Sequence, residues 1–185
     1  QTVLLVPPLV FTPAHYAEGF AGTLSVPEGA VVDTIRGVAG SLQHHGVTTL
    51  AIANSHVDPA NMKALHAAEG AVRHEVHMRF VFPDICQKPW VLRLPEEFKW
   101  GGSHAGYFET SLVMAARPDL VREEVRRRLP KVDVDLAKKI RDGAKDFHAC
   151  GGPEAYFGNP AGASVEDGNR FYDVLADIVV EAINP

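Results

Sequence analysis

A histidine, a carboxylate and two hydroxyls stand close together in His104-Ala105-Gly106-Tyr107-Phe108-Glu109-Thr110-Ser111. They open an apolar stretch whose pattern predicts a helix over 104–116, stopped by Pro118. An imidazole titrating near neutrality can give or take a proton at physiological pH, and a neighbouring carboxylate can share it. Just upstream, Trp100-Gly101-Gly102-Ser103 sets a glycine pair behind an aromatic, so the loop can lay an indole close to whatever His104 faces. A second histidine and carboxylate lie in Ser55-His56-Val57-Asp58-Pro59, directly after the apolar run Leu50-Ala51-Ile52-Ala53-Asn54. That run reads as a buried strand, and ligands of open α/β sheets bind at the carboxyl ends of strands. Imidazole nitrogens and carboxylate oxygens can hold Zn²⁺, Mn²⁺ or Fe²⁺, which lower the pKa of bound water toward neutrality. Such water can attack an electrophilic carbon, and the group that leaves then needs a proton, a task that suits His104.

Each of these residues also has a simpler role open to it. His56 can cap a helix or bond to backbone. Asp58, immediately before Pro59, is an ideal helix N-cap. Glu109 lies where a helix dipole favours a carboxylate, and Trp90 and Trp100 can be core or interface aromatics. His15 and Tyr16 sit in a glycine-rich loop over 7–26 and can line a pocket. His44-His45 reads as a dipole-favoured helix end, because adjacent helical positions point apart. Cys86 and Cys150 form no Cys-x-x-Cys motif, and Cys150 reads as an inert small side chain.

The elements that would hold these residues alternate between strand and helix. Strands are expected over 2–6, 47–53 and 76–82. A helix over 28–45 carries Val31, Ile35, Val38 and Leu42 on one side and closes at Gly46. Another over 59–76 begins with a proline suited to a first turn and carries Met62, Leu65 and Val72. Residues 83–103 read as a structured loop and 118–145 as charged and helical in pieces. A final amphipathic helix over Val165–Ile183 carries Phe171, Val174, Leu175, Ile178 and Val179. The rhythm predicts an α/β fold: a three-layer sandwich with a mainly parallel sheet flanked by helices.

With 185 residues, 46% hydrophobic and 22% charged, the chain suits one globular domain over 1–185. A net charge of -5 and no basic run longer than Arg126-Arg127-Arg128 argue against nucleic-acid or membrane partners, leaving a small-molecule ligand. Two cysteines, no secretory signal and no apolar run of membrane-spanning length suggest a cytoplasmic protein.

The motifs resemble the creatininase (creatinine amidohydrolase) family. The resemblance rests on Gly22-Thr23-Leu24-Ser25, the helix ending in His45-Gly46, the strand leading into Asn54-Ser55-His56, His104-Ala105-Gly106 with Glu109-Thr110-Ser111, and Gly158-Asn159-Pro160. It implies a compact α/β hydrolase that assembles as a homo-oligomer, often a hexamer, and cleaves small cyclic or linear amides with one or two divalent metals. His56 matches a metal-binding histidine, and Asp58 the position of a metal-binding glutamate. Trp100 and His104 match the tryptophan and histidine that close over substrate and handle its proton. Glu109 matches the glutamate near that site. Ser55 replaces a glycine, and Gly101 replaces an aspartate that contacts creatinine, so a related amide is the expected substrate. The family's Glu-x-His pair and a later aspartate would precede residue 1, and an N-terminal segment carrying them is expected to be missing from the sequence. The candidate site takes His56, Asp58 and Glu109 as metal ligands, with His104 and Glu109 as the catalytic pair. Trp100, Ser55, Val57 and Tyr16 line the substrate.

Two function classes follow. One is a metal-dependent hydrolase of non-peptide C–N bonds, with a divalent cofactor (Zn, Mn or Fe) and His104 as proton donor and acceptor. The other is a non-catalytic oligomeric scaffold or small-molecule binder with an incomplete metal site. A nucleotide-binding protein is disfavoured, since no Gly-x-Gly-x-x-Gly or Walker loop follows any strand.

Overall fold

The computed structural model describes residues 3–100 and 104–184. They form two compact units, one made of Gln1–Leu50 with His56–Phe80 and the other of Ala51–Ser55 with Val81–Pro185.

In the first unit, α1 (Glu28–His44) buries Val31, Ile35 and Ala39, one residue per turn along a single stripe, as the expected period requires. It packs on α2 (Pro59–Ala71), whose buried face is Asn61, Ala64, Leu65 and Ala68. Pro59 opens α2 at a position where its missing amide has no partner to lose, and Asp58 caps it. The helix runs on through a wide π-helical turn, Val72–Val76, and leaves it at His77 in a left-handed conformation (φ 58°). The helix thus ends at Val76, as expected, while the following strand, expected over 76–82, is confined to β2 (Arg79–Val81).

β2 pairs with β1 (Thr49–Ala51). The Arg79 amide donates to Thr48 O at 3.2 Å and the Ile52 amide to Val81 O at 2.9 Å, the slanted pattern of parallel strands. The crossover between them is α2, so the β-α-β unit expected from the alternating pattern is present. The strand expected over 2–6 is not. Thr2 lies outside the described residues, and 3–6 adopt no regular structure, with Leu5 95% exposed. Apolar β-prone side chains make a strand only where a ladder partner accepts their backbone groups, and none does so here among the described residues.

The second unit is organised around α4 (Tyr107–Ala116) and α8 (Val165–Ile183). Phe108 and Leu112 of α4 and Phe171 and Ile178 of α8 are buried. The Phe108 and Phe171 rings lie 5.0 Å apart. Gly168 permits this approach: a Cβ there would overlap the Ser111 carbonyl of α4. Ser164 caps α8 by accepting from the Asp167 amide. Shorter helices complete the unit: α3 (Glu96–Lys99), α5 (Glu123–Arg126), α6 (Leu136–Arg141) and α7 (Phe147–Cys150). The expectation of broken helix over 118–145 matches α5 and α6. Among the described residues no helix is long and apolar enough to cross a membrane.

Candidate functional site

The candidate residues fall into two clusters, one in each compact unit.

In the first unit, the loop ahead of α2 is fastened by its own polar groups. The His56 ring donates from Nε2 to the Pro13 carbonyl at 2.8 Å; because a carbonyl only accepts, the proton is on Nε2. The side-chain amide of Asn61 donates to the His56 carbonyl at 2.7 Å. Asp58 is buried, and both carboxylate oxygens accept backbone amides: Oδ1 that of Ala60 at 2.8 Å, Oδ2 that of Tyr16 at 3.2 Å. The fold therefore brings Tyr16, His56 and Asp58 into one neighbourhood, and the expected N-cap at Asp58 is present. Val57 is half-buried; Ser55, which belongs to the second unit, is exposed.

In the second unit, the expected helix begins at Tyr107 rather than at His104. Residues 104–106 instead form a tight loop in which Ala105 takes a left-handed backbone (φ 50°) and Gly106 is the N-cap. A side chain in that region costs energy, and such strain concentrates at functional sites. Glu109, in the first turn of α4, turns back so that Oε2 accepts the Ala105 amide at 2.7 Å. The same oxygen faces His104 Nδ1 at 3.8 Å, an ion-pair distance when the ring is protonated. Thr110 donates its hydroxyl to the Ala105 carbonyl at 3.2 Å. The His104 ring stacks on Phe147, with centroids 4.3 Å apart and planes 28° from parallel, and keeps about a third of its side chain accessible (33%). Burial pushes the Glu109 carboxyl up to about 7, against the restraint of the Ala105 amide. This loop can therefore hold and release a proton near neutral pH. Trp100, at the end of α3, is 70% exposed, while Gly101, Gly102 and Ser103 lie outside the described residues.

Three residues of this cluster escape sequence reasoning. Phe147 and Phe157 flank the histidine, the first by stacking and the second by donating its amide to the His104 carbonyl at 2.9 Å. Glu97 accepts the amide of Tyr107, the first residue of α4, at 2.6 Å. Only Phe157 had a signal nearby, the Gly158-Asn159-Pro160 turn. Among the described residues, no three His, Cys, Asp or Glu side chains form a group that could hold a metal ion.

Comparison with known proteins gives a consistent result. The family model "Creatininase: Creatinine amidohydrolase" matches residues 1–183. A creatinine amidohydrolase of Pseudomonas putida is 30% identical over 112 residues, 55% of this chain and 43% of its own, so the chain spans less than half the length of that relative. A crystal structure of creatinine amidohydrolase (creatininase) superposes with a TM-score of 0.60 at 24% identity, over 94% of this chain and 70% of the other. A creatininase variant described as of Zn-Zn type gives 0.59 at 23% identity, over 94% and 70%. These likenesses bear out the α/β creatininase-like fold.

Proposed function

The chain belongs to the creatininase family, and from that premise we propose that it is an amidohydrolase acting on a C–N bond of a small cyclic or linear amide. The observation that carries this reading is the His104–Glu109 pair, an imidazole and a carboxylate 3.8 Å apart. Hydrolysis adds water to the amide carbon, breaks the C–N bond and delivers a proton to the departing nitrogen. His104, held by its stacking on Phe147, supplies that proton, and Glu109, titrating near neutrality, exchanges it with the ring. Of the residues expected to contact substrate, Trp100 and Ser55 share a unit with His104 and Glu109, and these two we assign to that contact.

A divalent cation is part of this reading. His56 suits a ligand role, since metal-binding histidines commonly donate their second ring N–H to a carbonyl, as His56 does to Pro13. Asp58 is less suited, because its two oxygens already receive backbone amides. The described residues do not assemble a closed ligand set, so no step is assigned to the ion. The same reading makes a homo-oligomer the expected assembly, which light scattering of the purified protein measures.

The test is release of amine or acid from a panel of lactams, ureas, formamides and simple amides, with Mn²⁺ or Zn²⁺ added. Turnover by the unsubstituted protein and its loss in His104→Ala is the expected result. If no member of the panel turns over, the reading gives way to a small-molecule binder on the same scaffold.

A further inference from the structure

We propose that Glu97 is the positioning residue of this site, holding the His104–Glu109 loop in register by tying the start of α4 to the turn at Gly158-Asn159. The inference rests on the role proposed for His104 and Glu109, but its geometry stands apart from it.

Glu97 is half-buried on the short helix α3, where a glutamate serving only solubility has no reason to be. Its Oε1 accepts the Tyr107 amide at 2.6 Å and its Oε2 the Asn159 amide at 2.6 Å. Both oxygens thus take charge-assisted bonds from backbone groups that lie 52 residues apart in the chain. The second anchor is itself fixed, because Gly158 and Val132 exchange amide-to-carbonyl bonds of 2.9 and 2.8 Å. One residue earlier, the Phe157 amide holds the His104 carbonyl. The loop 104–106 is consequently gripped at both ends, at His104 by Phe157 and at Tyr107 by Glu97. Between those grips lie the left-handed Ala105 and its bond to Glu109.

Gly158 leaves the carboxylate its space. Its backbone is left-handed (φ 84°), and a Cβ on it would overlap the Glu97 carboxyl carbon and both oxygens. Burial raises the pKa of Glu97 on balance, against the amides of Tyr107 and Asn159, which lower it.

Glu97→Gln is the informative substitution, since one of the two acceptor oxygens becomes an NH₂ group facing a backbone N–H. The experiment follows the His104 ring by NMR in protein labelled at histidine, the signal assigned by its disappearance in His104→Gln. In Glu97→Gln, folded by circular dichroism, the His104 signal is expected to lose the displacement that stacking on Phe147 confers. A general loss of stability leaves that displacement unchanged in the folded state. Gly158→Ala attacks the same contact from the opposite side and should produce the same displacement, so it decides the matter if Glu97→Gln fails to fold. Glu97→Asp, which keeps the charge, should restore part of the signal. Where the panel above gives turnover, kcat is expected to fall about tenfold or more with KM changed by less than about threefold. An unmoved His104 resonance in both variants overturns the proposal. If the unsubstituted protein hydrolyses nothing, the hydrolase reading falls, and the ring signal still decides what Glu97 does.

Discussion

Two helix starts in this molecule carry the same pair of residue types and use them differently. At α2, Asp58 is the N-cap, and its oxygens hold the amides of Ala60 and Tyr16. At α4, Glu109 lies in the first turn, and a single oxygen accepts Ala105 N and faces His104. Asp58 thus works as a fastener between its own helix and a loop 42 residues upstream. Glu109 has fewer donors to stabilise its charge, and burial pushes it up to about 7. The lesson is that a carboxylate beside a helix start becomes a proton carrier when it is desolvated faster than backbone amides can compensate.

The contrast breaks most sharply at the histidine of α4. His104→Ala is expected to lower kcat/KM by about 10²–10⁴-fold, the range for removing a general acid, as measured on whichever amide of the panel turns over. Activity within a fewfold of the unsubstituted protein would place proton transfer elsewhere.

The next effect is on stability against pH. The Glu109 pKa rises from 4.5 to about 7 on folding, so between those values the folded chain binds more protons than the unfolded one. Its contribution to stability is therefore fully present below pH 4.5 and declines as pH rises toward about 7. Glu109→Gln, which cannot ionise, should gain several degrees of Tm relative to the unsubstituted chain on going from about pH 5 to about pH 8. A difference in Tm that does not vary with pH would contradict the raised pKa.

Asp58 sharpens the other side. Asp58→Ala should cost about 0.5–2 kcal/mol by denaturant unfolding, and Asp58→Asn part of that, because asparagine keeps the cap on Ala60 but turns an NH₂ group toward the Tyr16 amide. Calorimetric titration with Zn²⁺ then separates the two roles proposed for the residue. A cap alone leaves affinity unchanged in Asp58→Asn, whereas a ligand loses it. The smallest effect is expected at Thr110, whose hydroxyl reaches the Ala105 carbonyl. Thr110→Val should cost about 0.5–1.5 kcal/mol, read from the same unfolding curves.

Much of the local structure was legible in the sequence. The apolar stripe of Val31 and Ile35 marked α1, Asp58-Pro59 marked the start of α2, and the final helix runs over Val165–Ile183 as its period predicts. The run over 3–6 misled because strand formation depends on a partner segment, which side-chain type does not reveal. The start of α4 moved from His104 to Tyr107 because the left-handed turn at Ala105 is held by Glu109 and Phe157, and only Glu109 lies nearby in the chain. In the site, His104 and Glu109 were readable as a pair, while Glu97, Phe147 and Phe157 were not, because no spacing rule links residues that meet only through folding.

The sequence by itself determined what depends on a few neighbouring residues: helix periods, the cap at Asp58 and the chemical types available for catalysis. Tertiary structure alone decided which carboxylate anchors the backbone and which titrates near neutrality. It also decided that Gly158 yields its side-chain space to Glu97. The physical reason is range. Dihedral preferences and capping bonds act within a turn, whereas desolvation and the supply of hydrogen-bond donors are set by segments that reach a side chain only when the whole chain has folded.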